Sequence, residues 1–405
     1  MSIEKEGTSL LRIIADIKAN KEQIIEWRRH FHQYPEASLK EYETAEKIQE
    51  VLTSLDIPWV KVGETGTLGT IVGQRVDTHM DNAGKKVLLR ADIDALEIEE
   101  ATDHSFPSKN PGIMHACGHD AHNSALLGAA QYLANHRDHF SGTVLLAFQQ
   151  AEEIGGGAHQ FIESGLLENV GEVFGIHVDP TVEVGKVQTV AGPTMASCDI
   201  FTIEVSGKSS HVARPHEGID ALVAGANIVT ELQNLVARLL NPLEPAVIGI
   251  GKFTSGTRYN IVANHARIEG TLRTLSHETR SRFLAKIEET AHDIAKVYGA
   301  TAHFENYDAA APNINDERAT LRSQRVAEQL VGVDNVITQS EPSMGSDDFA
   351  DFLKLIPGTY ARVGVSSSET TSYGLHHEKF DLDEAALPLM ASLHVGFALD
   401  YLSGE

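Results

Sequence analysis

The stretch Gly142-Thr143-Val144-Leu145-Leu146-Ala147-Phe148-Gln149-Gln150-Ala151-Glu152-Glu153-Ile154-Gly155-Gly156-Gly157 decides the fold. Its first nine residues are a near-continuous apolar run, the pattern of a strand covered on both faces. Two adjacent acids follow, then three glycines and helical spacing over 158–164. Upstream, Thr67–Val72 and Lys86–Ala91 are short β-rich runs, and the second ends in Asp92-Ile93-Asp94. Downstream, Val173–Val178 is another buried strand, with His177 near its end. Strands alternating with helices predict an α/β domain with a mostly parallel sheet flanked by helices.

Ligands of open α/β sheets gather outside the carboxyl ends of the strands. Asp92 and Asp94, Glu152 and Glu153, and His177 all fall at that edge. Between the strands lies Gly112–Gly128, which places His115, Cys117, His119, Asp120 and His122 within eight residues ahead of a helix over about 121–136. All five side chains can ligate a metal or move a proton.

The rest of the chain supplies the frame. Apolar spacing predicts helices over 8–33 and 40–55. From 196 to 308 the rhythm becomes strand, helix, strand, strand, helix, strand, which predicts a ferredoxin-like α+β module inserted into a discontinuous catalytic domain (1–195 and 309–405). The α/β pattern then resumes, with a helix over 316–331, a strand over Thr359–Val365, Gly374-Leu375-His376-His377, and a closing helix over 383–402.

Composition narrows the function. The chain has 405 residues, 42% of them hydrophobic, and a formal net charge of −24. That charge argues against nucleic acid or an anionic membrane as partner. No apolar run of about 18 residues suits a transmembrane helix, and residues 1–7 read as neither signal nor transit peptide. Two cysteines, Cys117 and Cys198, point to a reduced compartment, so a cytoplasmic protein is expected.

Cys117, His119, Glu153, His177 and His376 are five candidate ligands from four segments, with S, N and O donors suited to Zn²⁺, Mn²⁺, Co²⁺ or Ni²⁺. Five exceed one tetrahedral site; two ions roughly 3.5–4 Å apart would use them. Neighbouring Glu152 and Glu153 face different ways, so one binds metal while the other takes a proton from the attacking water and passes it to the leaving nitrogen. His376 and His377 are not separable by chemistry alone. His30, His32, His104, His136 and His139 show no partners in sequence and receive no role. In the inserted module, His211, Arg214 and His216 follow a glycine loop, and Arg258-Tyr259-Asn260 and Arg273 are expected in its strands. Such a set suits a substrate carboxylate and a tetrahedral oxyanion.

These motifs resemble the M20 metallopeptidases, and within them the amidohydrolase branch of aminoacylases, hippurate hydrolases and auxin-conjugate hydrolases. The resemblance rests on Trp27–His32 with Pro35-Glu36, Arg90–Leu96, His115–His122, Gln150–Glu153, Gly175–His177, Gly207–His211, Asn260, Arg273 and Gly374–His376. It implies a metal-dependent hydrolase of N-acyl amino acids. Cys117, His119, Glu153, His177 and His376 would hold two divalent ions and Glu152 would be the general base. His211 would hold the oxyanion, Asn260 and Arg273 would lie near the substrate, and the inserted module would be a lid and dimerisation domain of a homodimer or higher homo-oligomer. Asp92-Ile93-Asp94 stands where the wider family has His-x-Asp, and Cys117 where it has a bridging Asp. This favours the amidohydrolase branch, with Asp92 and Asp94 orienting the ligands from behind. Glu97, Asp347 and His377-Glu378 depart from the branch without removing a ligand. The alternatives are a dipeptidase or carboxypeptidase of the same fold, a cysteine hydrolase using Cys117, and a metal-dependent binding protein without turnover.

Overall fold

The computed structural model describes residues 10–75 and 84–404. The N-terminal segment read for a leader, and the first two residues of the 8–33 helical stretch, lie outside them. In chain order the elements begin with α1 (Leu10–Ala19), α2 (Lys21–Gln33), α3 (Tyr42–Ser54), β1 (Trp59–Val62), β2 (Gly66–Val72) and β3 (Lys86–Asp92). They continue with α4 (His119–Asn135), β4 (Thr143–Gln149), α5 (Gly157–Glu163), β5 (Glu172–Glu183) and β6 (Val187–Gln188). The helical spacing over 8–33 is realised as two helices that part at Asn20, whose side-chain amide donates to the Asp16 carbonyl at 3.0 Å. That local hydrogen bond offers the backbone an alternative to continuing the helix.

The chain then runs through β7 (Gly192–Met195), β8 (Cys198–Ser206), α6 (Ala221–Leu239), β9 (Ala246–Ser255), β10 (His265–Thr274), α7 (His277–Val297), β11 (Thr301–Ala310) and β12 (Asn313–Asn315). It closes with α8 (Glu317–Val331), β13 (Val336–Ile337), α9 (Phe349–Leu353), β14 (Gly358–Ser366) and α10 (Leu387–Ser403). Two compact units result. The first is Met1–Gly192, Ile314–Glu341 and Asp351–Glu405; the second is Pro193–Asn313 with Pro342–Ala350, against the 196–308 expected for an inserted module.

In the first unit the sheet order is β1-β2-β4-β3-β5-β14-β6-β13. Strands β4, β3, β5 and β14 are parallel to their neighbours in that central run, while β1, β2 and the β14–β6 pair are antiparallel. The sheet is therefore mixed, with a parallel centre. The apolar run of β4 is buried from Val144 to Gln149, as a centre covered on both faces requires. Helix α4 is buried nearly all round, and α2 and α10 pack against it. Helix α10 is the apolar close of the fold: Glu384–Ser403 is long and apolar enough to cross a membrane, yet 83% of that window is buried inside the protein.

The second unit is a four-stranded antiparallel sheet, β11-β8-β10-β9, backed by α6 and α7. Strand order 4-1-3-2 from a βαββαβ chain is the ferredoxin-like arrangement. Its helices start where side chains cap them: Asp220 accepts from the Leu222 and Val223 amides, and Ser276 from the Thr279 amide. Phe201, Ile203, Val205, Ile228, Leu232, Ile268 and Phe283 form its own buried core. Arg258-Tyr259-Asn260, expected in a strand, lie in a loop instead. The chain turns at Gly256 (φ +76°) and rejoins the sheet only at His265.

Candidate metal centre

The first unit brings Cys117, His119, Glu152, Glu153, His177 and His376 together from four segments. His119 opens α4 behind Gly118, which adopts φ +84°. A Cβ at Gly118 would lie 2.5 Å from Val178 Cγ2, so the loop and β5 approach closely only because residue 118 is glycine. That approach leaves Cys117 Sγ 3.5 Å from His177 Nε2. The acids leave β4 through Ala151, held at φ +56°, and His376 itself has φ +65°. Both are conformations that non-glycine residues adopt at a cost and that cluster at functional sites. The Ala151 amide donates to Glu41 Oε1 (2.9 Å) and the His376 amide to the Ala116 carbonyl (2.8 Å), which fixes both turns. His376 Nε2 then faces Glu153 Oε2 at 3.5 Å. His119 Nε2 lies 3.8 Å from Glu152 Oε2 and 3.9 Å from Glu153 Oε1.

These residues form overlapping ligand sets, Cys117–His119–His177, Cys117–Glu153–His376 and His119–Glu152–Glu153, each with its donor atoms within 4.8 Å of one another. His119 Nε2 and Glu153 Oε1 are buried without a hydrogen-bond partner, an arrangement that a cation would satisfy. Hydrogen bonds fix which nitrogen each ring offers. His119 Nδ1 donates to the Asp94 carbonyl (2.9 Å) and His177 Nδ1 to the Val178 carbonyl (2.7 Å), so both turn Nε2 inward. Burial raises the Glu153 carboxyl to about 7 although His119 beside it pulls the other way. Burial would lower His119, but Asp92, Asp94 and Glu153 raise it to about 10. Burial, with His119 nearby, lowers His376 and favours its neutral, ligating form.

Asp92 and Asp94 sit behind the ligands. Asp94 accepts from the backbone amides of Glu152 (3.1 Å) and Glu153 (3.0 Å) and from Ser38 Oγ (2.6 Å). It thereby aims the paired acids. Asp92 accepts from Arg90 Nη1 (2.6 Å) and His122 Nδ1 (2.6 Å). The Val178 amide donates to His122 Nε2 at 3.0 Å, which makes Nε2 an acceptor and Nδ1 the protonated atom. His122 is thus a neutral brace between β5 and Asp92, with both nitrogens used. Asp120 is also turned away, bonded by Arg28 Nε (3.0 Å) and His32 Nδ1 (2.8 Å). His115 is buried with neither ring nitrogen hydrogen-bonded, and burial lowers it to about 4.

The structure separates His376 from His377: the latter stacks on Tyr373 and accepts from the Lys379 amide. It also corrects the reading of His32 and His104 as partnerless. His32 bonds Asp120, and both rings face Glu100. Those partners lie 88 and 68 residues from His32 along the chain, so no local spacing announces them.

In the second unit, exposed His211 pairs across its loop with Ile261, and the Val212 amide donates to the Asn260 carbonyl. The Ala213 amide donates to His211 Nδ1 at 3.1 Å, so the neutral ring carries its proton on Nε2. Asn260 Oδ1 is buried and unbonded. Arg273, on β10, donates to Ser346 Oγ at 3.0 Å.

Comparison with known proteins agrees with this geometry. The model of Peptidase family M20/M25/M40 matches residues 88–400. N-acetyl-L-cysteine deacetylase of Bacillus subtilis is 37% identical over 370 residues, 91% of this chain and 85% of that protein. Thermostable carboxypeptidase 1 of Saccharolobus solfataricus is 37% identical over 393 residues, 95% of this chain and 97% of that protein. Among solved structures, the Bacillus subtilis YXEP protein, a dinuclear metal binding peptidase from the M20 family, superposes with a TM-score of 0.82 at 34% identity, covering 96% of this chain and 99% of that one.

Proposed function

The chain belongs to peptidase family M20/M25/M40, and we propose that within it this metal-dependent amide hydrolase cleaves N-acyl amino acids to a carboxylic acid and a free amino acid. Cys117, His119, Glu153, His177 and His376 hold two divalent ions, drawn from Mn²⁺, Zn²⁺, Co²⁺ and Ni²⁺. When bound, the ions polarise the amide carbonyl and make water acidic enough to attack it at neutral pH.

Glu152 takes the proton from the attacking water and gives it to the leaving nitrogen. The observation that carries this reading is the pair of acids fixed by one carboxylate. Asp94 holds both Glu152 and Glu153 by their amides, while Glu153 Oε2 faces His376 at 3.5 Å. His211 donates Nε2–H to the developing oxyanion, a role supported by its tautomer. Asn260 and Arg273 bind the amino-acid carboxylate. The second unit acts as lid and dimerisation domain; the outer position of β9 in its sheet is an edge suited to pairing with a second copy. Both cysteines are buried and neither is in a disulfide, in keeping with a cytoplasmic enzyme.

Glu152→Gln tests the base. It should keep its fold and metal content and lose about 10²-fold or more in kcat, the scale of a removed general base. Near-normal kcat would overturn the assignment. A carboxypeptidase reading has a relative in its favour. A panel of dipeptides beside N-acetyl amino acids separates the two by kcat/KM.

A further inference from the structure

We propose that His32, Glu100 and His104 form a third divalent-cation site in the first unit, whose three nitrogen and oxygen donors suit zinc and leave a fourth position for water. His32 Nε2 lies 3.4 Å and His104 Nε2 3.3 Å from the same oxygen, Glu100 Oε1. The three donor atoms fall within 4.8 Å of one another. Thr102 Oγ1 also bonds Glu100 Oε1 and lies 3.1 Å from His104 Nε2.

Those spacings decide the reading. A charged imidazole on a carboxylate closes to about 2.7–2.9 Å, and His32 does so at its other nitrogen, 2.8 Å from Asp120. Ligands at about 2.0–2.1 Å from a tetrahedral Zn²⁺ stand about 3.3–3.4 Å apart, the separation found here. The pair across the centre described above, His376 Nε2 and Glu153 Oε2, shows a similar 3.5 Å.

The surroundings orient the donors. Asp120 fixes the proton of His32 on Nδ1 and leaves Nε2 for a cation, as outer carboxylates do for metal-bound histidines. The Ser108 amide donates to Glu100 Oε2 at 2.5 Å and turns Oε1 toward the rings. His104 is held flat on Phe106, with ring centroids 4.1 Å apart. Charge points the same way. Two guanidinium groups, Arg28 and Arg29, are linked to three carboxylates, Asp120, Asp381 and Glu384, and Glu100 adds a fourth. Bonds to Asp120 and Glu100 favour the charged form of His32, and a divalent cation that displaces the proton between His32 Nε2 and Glu100 balances the cluster.

The site ties the 100–108 loop to α2. The Ala101 amide donates to the Glu378 carbonyl (2.8 Å) and Arg28 to Asp381 (2.9 Å), so the clamp extends to the segment that carries His376. The count of three rests on two ions at the candidate centre; the site itself does not.

The test is metal counting on protein dialysed against Zn²⁺. Wild type should hold three equivalents per subunit and His104→Ala two. A Cys117→Ala/His177→Ala/His376→Ala variant should keep one, and His104→Ala added to it should remove that one. If the centre is not dinuclear, the wild-type total changes but the one-equivalent loss on His104→Ala persists. Glu100→Gln repeats the test should His104→Ala misfold, judged by circular dichroism. Equal zinc content with and without His104 and Glu100 overturns the proposal.

Discussion

His119 Nε2 and Glu153 Oε1 face each other across 3.9 Å without a hydrogen bond between them, and a metal bound there must displace the protons they hold. With His119 raised to about 10 by the carboxylates around it and Glu153 raised to about 7 by burial, the metal-free protein at pH 7 keeps the His119 proton and disfavours the Glu153 carboxylate. Metal uptake at pH 7 therefore releases at least one proton per subunit, and affinity falls as pH is lowered, because both groups are then fully protonated. Calorimetric titration with Zn²⁺ in buffers of different ionisation enthalpy should show that release; a heat independent of buffer would contradict it. The candidate ligands were legible in the sequence because their chemistry is rare and their spacing dense. Their braces were not. His122 is one residue type among many until the Val178 amide is seen to donate to its Nε2, and His32 finds Asp120 and Glu100 only through the fold.

The strand ends and the turns that follow them make the site. β4, β3 and β5 were legible as apolar runs, and the acids or histidine at their ends were legible as a shared edge. What the pattern could not carry was backbone conformation at non-glycine residues: φ +56° at Ala151 and φ +65° at His376 are imposed by tertiary hydrogen bonds to Glu41 and Ala116. Gly118 is the converse, a glycine whose need is geometric. Gly118→Ala places a methyl 2.5 Å from Val178 Cγ2 in a backbone that disfavours it. The variant should lose about 2 kcal/mol or more and bind less metal, since Cys117 and His119 flank it. Chemical denaturation with metal analysis checks this; wild-type stability and metal content would show that the close approach does not matter. The strand expected at Arg258–Asn260 failed for a related reason: its β-rich composition serves a loop pinned to the His211 loop, not a ladder.

At the scale of the molecule, the sequence carried the two-part rhythm because each unit has its own period. A buried parallel centre yields continuous apolar runs, and the second unit's antiparallel sheet yields alternation, as in β10. The sheet's antiparallel margin was hidden, since short strands such as β6 and β13 bury too few residues to pattern a sequence. The chain carries a net charge of −24, and carboxylates hold the cations it buries most deeply. Arg28 shows how: it is 1% exposed and bonded to Asp120, Asp381 and Glu384, which keep it charged despite burial. The reaction proposed for the protein is metal-dependent hydrolysis of N-acyl amino acids. It is tested most directly by offering N-acetyl, N-benzoyl and indoleacetyl amino acids to chelator-treated protein, before and after adding Mn²⁺, Zn²⁺, Co²⁺ or Ni²⁺. Free amino acid should be released only after metal is restored; turnover that persists in the presence of chelator would rule out metal dependence and return attention to Cys117 as a nucleophile.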